Sequence, residues 1–182
     1  MKVTLQPASV TDAKTIAALR AAVASRLTSE FGNGPWSSPA SEKGVLFVMR
    51  NSNVFVARRG KKIIGVLDLG VKKPWAIDKS YFTPCNRALY LTGMAVAPEL
   101  QRTGIGRAML KAAQEIARQW PAEAIRLDAY DAPAGAGSFY AKCGMSERGR
   151  VTYRNARLVY YELLLPPVRT LQSAVARGRN ET

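Results

Sequence analysis

The sequence predicts one mixed-sheet α/β domain. Short β-branched runs alternate along it with stretches that repeat apolar residues every three or four positions. Their order is strand, helix, helix, hairpin, strand, helix, strand, helix, strand, strand. A length of 182 residues, 47% of them hydrophobic and 22% charged, suits a single well-filled core and leaves no room for a second catalytic domain.

Each element has a local reason. Residues Lys2 to Gln6 alternate in polarity as a short strand that Pro7 should end. Ser9 and Asp12 have the spacing of a capping box, and Ile16, Leu19, Val23 and Leu27 then mark one buried face of a helix over 12–28. Two glycines and two prolines make Phe31 to Ser41 a loop, and a weaker helix is expected over Ser41 to Arg50. Asn53 to Arg58 and Lys62 to Leu69 flank Arg59, Gly60 and Lys61, which reads as a hairpin. Lys72 to Asn86 is irregular, and Ala88 to Val96 is a strand closed by Pro98. The strongest helix runs from Ile105 to Trp120, with Ala108, Met109, Ala112, Ala113, Ile116 and Ala117 on one face and Pro121 as its stop. Ala124 to Tyr130 is a strand, and Ala134 to Cys143 a short helix capped by Gly144. Met145 to Tyr153 and Arg157 to Leu165 are strands around a turn at Arg154 and Asn155, after which a polar tail follows Pro166 and Pro167.

Composition narrows the chemistry. The chain has no histidine, which removes Ser-His and Cys-His couples and the usual nitrogen ligand of zinc. Cys85 and Cys143 lack ligand-like spacing and read as reduced, buried thiols, so no metal is expected. With no apolar run long enough to span a bilayer and no apolar core of a signal peptide at the N-terminus, a cytoplasmic protein without a membrane partner is expected. Lys and Arg number 27 against 13 Asp and Glu, a net charge of +14 spread over both halves of the chain. Such a field suits a polyphosphate cofactor, a nucleic acid or an acidic substrate, and equally simple solubility.

The most informative segment is Val96 to Leu110, VAPELQRTGIGRAML, where a strand gives way to a helix at Gly104 and Gly106. Helix N-termini bind anions through amides that lack intrahelical partners, and glycines let a phosphate approach. A Walker A loop is excluded because Arg107 and Ala108 follow Gly106, and a dinucleotide fingerprint because Met109 stands where a small residue is needed. Gln101, Arg102, Thr103, Gly104, Ile105 and Gly106 resemble instead the Gln/Arg-x-x-Gly-x-Gly/Ala loop of the Gcn5-related N-acetyltransferases (GNAT superfamily). Leu91 to Pro98 (LTGMAVAP) is similar to the family's central strand, and Ser138 to Met145 (SFYAKCGM) to its Phe-Tyr-x-x-x-Gly-Phe element, with Met145 for the usual Phe. The resemblance runs from about Val3 to Leu165, implying an acyltransferase domain over 1–165 and a polar C-terminal tail over 166–182.

That resemblance implies a mostly antiparallel sheet of about seven strands, helices on both faces, and a parallel pair, Leu89 to Val96 and Ile125 to Tyr130, splayed to admit acetyl-CoA. Met94, Ala95 and Val96 are then expected beside the pantetheine and thioester, and the amides from Arg102 to Arg107 around the pyrophosphate, with Arg102 and Arg107 adding charge. Tyr140 is the expected general acid for the departing thiolate, since a phenol stays protonated at neutral pH. The family's usual strand glutamate is missing: no carboxylate lies between Arg87 and Pro98, and Thr92 and Gly93 stand near its place. Asp68, Asp128 or a water chain is left as the base. Pro133 replaces an asparagine that often contacts the cofactor in relatives.

The acceptor is expected to be a primary amine of a small molecule or peptide, with Trp36, Trp75, Tyr81 and Phe82 as possible pocket walls. A tRNA-linked or ribosomal amine, or a non-catalytic CoA- or nucleic-acid-binding module, are the alternatives, nucleic acid being the less favoured partner. A monomer or homodimer is expected.

Overall fold

The computed structural model describes residues 3–38 and 40–166; Lys2 of the predicted first strand and the tail over 167–182 lie outside the described residues. Seven strands, β1 (Leu5–Pro7), β2 (Asn53–Arg59), β3 (Lys62–Gly70), β4 (Ala88–Val96), β5 (Ala124–Tyr130), β6 (Ser146–Tyr153) and β7 (Ala156–Leu164), form one sheet in the order β1-β2-β3-β4-β5-β7-β6. Every neighbouring pair is antiparallel except β4 and β5. The helices are α1 (Ala13–Phe31), α2 (Glu42–Asn51), α3 (Ile105–Gln119) and α4 (Gly137–Lys142).

Strand alternation divides the core between two faces. Val54, Val56, Ile63 and Val66 pack with Ala13, Ile16 and Leu19 of α1 and Val45 of α2. Their neighbours Phe55, Ala57, Ile64 and Leu67 turn to the other face, against Ile105, Met109, Leu110 and Ala113 of α3 and Tyr140 of α4. The predicted helical faces are the ones turned inward, with Val23 and Leu27 of α1 and Ala108, Ala112 and Ile116 of α3 half-buried and the rest of those faces buried. Cys85 and Cys143 are free thiols, half-buried rather than buried.

Local chemistry sets the ends of the elements. Ser9 donates its amide to Asp12 Oδ2 at 2.8 Å, and Asp12 also holds Arg58 Nη2 at 2.6 Å, fixing the entry to α1. Gly32, at φ 79°, ends α1 three residues later than the sequence predicts, its amide bonding Thr28 O at 2.9 Å. Ser41 caps α2 through Gly44 N at 3.1 Å. Because Arg59 pairs with Lys62, the first hairpin turns on Gly60 and Lys61 alone. In the second hairpin Arg154 and Asn155 adopt φ 46° and 64°, a two-residue turn made without glycine. Helix α4 is shorter than predicted: Pro133 and Ala134 form a turn closed by Gly135 N bonding Ala132 O at 2.8 Å, and any Cβ on Gly135 would collide with Tyr130 O.

The feature that positions the site is the parallel pair. Ala88, Leu89 and Tyr90 pair with Ala124, Ile125 and Arg126, and beyond Tyr90 and Arg126 the ladder stops although both strands continue. At the same level β4 bulges against β3. Val66 pairs with Ala95 and Asp68 with Thr92, so Gly93 and Met94 together oppose Leu67. Gly93 has φ +57°, and a Cβ there would lie 2.5 Å from Asp68 Oδ2 and collide with Arg20 Nη2.

Gly93→Ala should therefore cost far more than Gly60→Ala, where φ is +58° but nothing lies within 4 Å. The Gly60 variant should lose only the left-handed strain, about 1–2 kcal/mol, and chemical denaturation of both proteins measures the gap.

Candidate active site

The glycine turn presents free amides at the end of β4. Gln101 Nε2 donates to Val96 O at 3.1 Å and Thr103 Oγ1 to Leu100 O at 2.7 Å, which pins the turn to the strand it leaves. Arg102 (φ 63°) and Gly104 (φ 88°) take left-handed conformations, and Gly104 caps α3. The first bond into the helix runs from Ala108 N to Gly104 O at 3.0 Å, so the amides of Ile105, Gly106 and Arg107 have no intrahelical acceptor. Ile105 itself is buried in the core, while Arg102, Thr103 and Gly104 are exposed. Arg107 reaches sideways, donating to Lys142 O at the end of α4 at 3.2 Å. A Cβ on Gly106 would sit 3.3 Å from the Phe139 ring and 3.8 Å from Met94 Cε, so this glycine permits close packing of helix, Phe139 and β4.

Beyond Tyr90 the two central strands each keep a free edge facing the other. Ala97 N donates to Ile64 O of β3 at 3.0 Å. Since successive amides of a strand alternate sides, Val96 and Met94 turn theirs toward β5, where pairing has ended. Ala95, expected with them, instead faces β3, pairing with Val66, and its methyl is buried among residues of α1 and β2.

The structure gives the two aspartates different surroundings. Asp68 is 2% exposed, and both its oxygens accept from Arg20 Nη2, at 2.8 and 2.9 Å. Burial pushes its carboxyl up, opposed by Arg20 and by a hydrogen bond from Thr92. Asp128 stands on β5 just past the point where β4 departs, half-buried, and no Lys or Arg pairs with it among the described residues. Burial raises its carboxyl as well, opposed only by its own backbone amide. The other buried or half-buried carboxylates, Asp12, Asp68, Asp131 and Glu162, each hold at least one arginine.

Tyr140 projects from α4 into the core between Phe139 and Tyr161, with ring centroids 5.2 and 6.0 Å away. Burial, with the charges of Asp128 and Cys143, holds its phenol well above the ordinary value. The same carboxylate of Asp128 raises Tyr130 and Tyr160. Asp128 thus lies within electrostatic reach of phenols from three elements.

The four aromatic residues expected around the acceptor diverge. Trp36 packs edge-on to Tyr130, centroids 5.9 Å apart, beside the free end of β5. Phe82 is buried, stacked on Tyr160 beneath the Arg126 guanidinium, and Tyr81 meets Tyr160 edge-on. Trp75 is 84% exposed. Tyr160 holds that loop by donating to Ala76 O and accepting from Asp78 N. Sequence reasoning missed Arg20, Tyr130 and Tyr160. Arg20 carries no sequence signal, since its partner is 48 residues away.

Among the described residues, no group of three or more His, Cys, Asp or Glu could hold a metal ion, and no helix is long and apolar enough to cross a membrane. A sheet split at its one parallel pair, with an amide-rich helix start at the end of the split strand, is the frame of an acyl-group transferase. Residues 21–145 match the acetyltransferase (GNAT) family model, and the chain belongs to that family. Its fold is similar to that of the GCN5-related N-acetyltransferase (aminotransferase, class II) from Rhodopseudomonas palustris, with TM-score 0.67 at 19% identity over 91% of this chain and 97% of that one. Ribosomal-protein-alanine N-acetyltransferase from Brucella melitensis gives 0.66 at 17%, covering 88% and 99%. PaiA N-acetyltransferase from Thermoplasma acidophilum, solved with coenzyme A, gives 0.65 at 15%, covering 90% and 100%.

The two aspartates should respond oppositely to replacement. Asp68→Ala removes both acceptors of the half-buried Arg20 guanidinium and should cost about 3 kcal/mol or more. Asp128 has a raised native pKa, so its contribution to stability is fully present below the unfolded value and is lost as pH rises through the native one. Asp128→Asn should therefore melt higher than the parent at neutral pH and gain nothing below about pH 4. Thermal melts across pH check both signs.

Proposed function

We propose that this protein is an N-acetyltransferase that carries the acetyl group of acetyl-CoA directly to a primary amine of a small molecule or peptide, in a ternary complex. The observation that carries the reading is the unpaired Asp128 in the mouth of the split sheet. In a chain with 27 cationic and 13 anionic residues, a half-buried carboxylate left without a cation is suited to receive one from outside. The amides from Arg102 to Arg107 would hold the pyrophosphate of acetyl-CoA, with Gln101 supporting the turn from beneath, and the amides of Met94 and Val96 would hold its pantetheine arm. The bound cofactor supplies the thioester.

The residues of the chain then handle protons. Asp128 accepts one proton from the entering ammonium, leaving a neutral amine whose nitrogen attacks the thioester carbonyl. As the new C–N bond forms and the C–S bond breaks, the Tyr140 hydroxyl gives its proton to the sulfur. The second amine proton returns to the Tyr140 oxygen, and Asp128 releases its own to solvent. The products are an N-acetyl amide and CoA thiol, with one proton released. Asp68 is assigned no transfer, because Arg20 occupies both of its oxygens.

Tyr140→Phe keeps the ring and its packing, so it should lower kcat by roughly 100- to 10,000-fold with little change in stability or acetyl-CoA affinity. Turnover within about threefold of the parent, with chemistry shown to be the slow step, would make Tyr140 a packing residue. Acetyl-CoA should raise the melting temperature, as any ligand selective for the native state does. Gly104→Val should abolish that shift in a protein whose circular dichroism is unchanged, because space beside Gly104 that the chain leaves empty would be filled by the side chain. Thiol release measured over a panel of amines and peptides identifies the acceptor.

A further inference from the structure

Arg20 lies on α1, outside every segment that resembles an acetyltransferase motif, yet it touches β4 at the residue where the strand bulges. Its Nη2 donates to both oxygens of Asp68 and, at 3.2 Å, to the carbonyl of Gly93. Asp68 pairs across the sheet with Thr92 and also takes a hydrogen bond from its side chain. The guanidinium and carboxylate press so closely on Gly93 that no Cβ fits there. Arg20 Nε is buried with no partner among the described residues, so the side chain is held in place at the cost of one unsatisfied donor.

We propose that Arg20, anchored on Asp68, is a positioning residue for acyl-CoA: by fixing the Gly93 bulge it keeps β4 turned away from β5 and the gap between them open. The alternative conformation is easily specified. Continuing the register of Ala88 with Ala124 would set Leu91 beside Leu127 and Thr92 beside Asp128. Such zipping would use up the β4 amides offered to the pantetheine and bury Asp128 under a closed ladder. A free strand edge inside a sheet favours that closure, since unpaired backbone groups are costly. The bulge opposes it by offsetting β4 by one residue, and the Gly93 carbonyl held by Arg20 cannot rotate into the gap. Without Arg20, the Gly93 carbonyl loses its side-chain donor, and buried Asp68 loses its counter-ion.

This inference rests on the acyl-CoA reading above, and its test separates the two. The probes are acetyl-CoA, which needs both the turn and the gap, and 3′-phosphoadenosine 5′-diphosphate, the nucleotide half of CoA, which needs only the turn. Calorimetric affinities are measured for the parent, for Arg20→Met, and for the double variant Arg20→Met/Asp68→Leu. The double variant replaces the whole pair with apolar groups and so preserves folding where the single variant leaves a lone buried charge. The expected result is a tenfold or greater loss of acetyl-CoA affinity in both variants, with nucleotide affinity within twofold of the parent. Equal losses for the two ligands would show that Arg20 merely supports folding, and acetyl-CoA affinity within twofold of the parent in the double variant would show that the gap stays open without it. Either result overturns the proposal. A parent that binds neither ligand removes the acyl-CoA reading and this inference together.

Discussion

Two strands that begin as paired neighbours can part within a sheet only if the backbone groups they abandon find another use. Here β5 remains fully paired with β7 on its far side, and β4 remains paired with β3 across the bulge at Gly93. Each keeps one bare edge, and the two face each other in the middle of the sheet. An edge in that position is shielded from the lateral aggregation that threatens outer strands, but its amides and carbonyls still lack partners. A ligand with amides of its own, as a pantetheine arm has, satisfies them in the way a missing strand would. The split, the turn at the end of β4 and the start of α3 are therefore one device. On the proposed reading, Gly104 and the amides after it receive the charge of the pyrophosphate at the end of a slot whose walls offer hydrogen bonds.

What the sequence discloses is what short-range chemistry determines. The turn from Gln101 to Gly106 is legible because its glycines, its strand and its helix are contiguous. The order of elements is legible because periodicity of two and of three to four are local properties. The start of α4 was not, since Ala134 and Ala136 favour a helix but Gly135 between them does not and packs on Tyr130 O, a contact no local pattern reveals. The bulge at Gly93 was not legible either. The glycine in LTGMAV is the local mark of a bulge, but its partners, a side chain on α1 and a carboxylate on β3, are distant in sequence.

The same distance explains why two aspartates of equal standing in the sequence separate in the structure. Arg20, Arg58, Arg126, Arg148, Arg150 and Arg157 fold back onto Asp68, Asp12, Glu162 and Asp131. The cationic excess thus does internal structural work before it creates any external field. Asp128 escapes this pairing on β5 just past the last residue that β4 pairs, opposite Tyr160 of β7, where no guanidinium reaches it among the described residues. An excess of cations makes an unpaired carboxylate more conspicuous than it would be in an acidic protein.

The placement of that carboxylate also bears on a difficulty in using a buried tyrosine as an acid. A phenol raised well above its ordinary value is a poor donor to a thiolate, whose own proton affinity is lower. Part of the elevation, however, comes from the negative charge of Asp128. On the proposed mechanism, when Asp128 takes the proton of the entering ammonium, that charge disappears and the phenol becomes more acidic. The change comes before the C–S bond breaks, when a donor is needed. On that mechanism the proton taken at one side of the cleft prepares the proton given at the other. An acceptor that arrived already neutral would leave Asp128 charged and Tyr140 at its most reluctant. On the proposed mechanism this coupling favours amines that enter as ammonium ions, the form that a carboxylate without a cationic partner among the described residues also attracts.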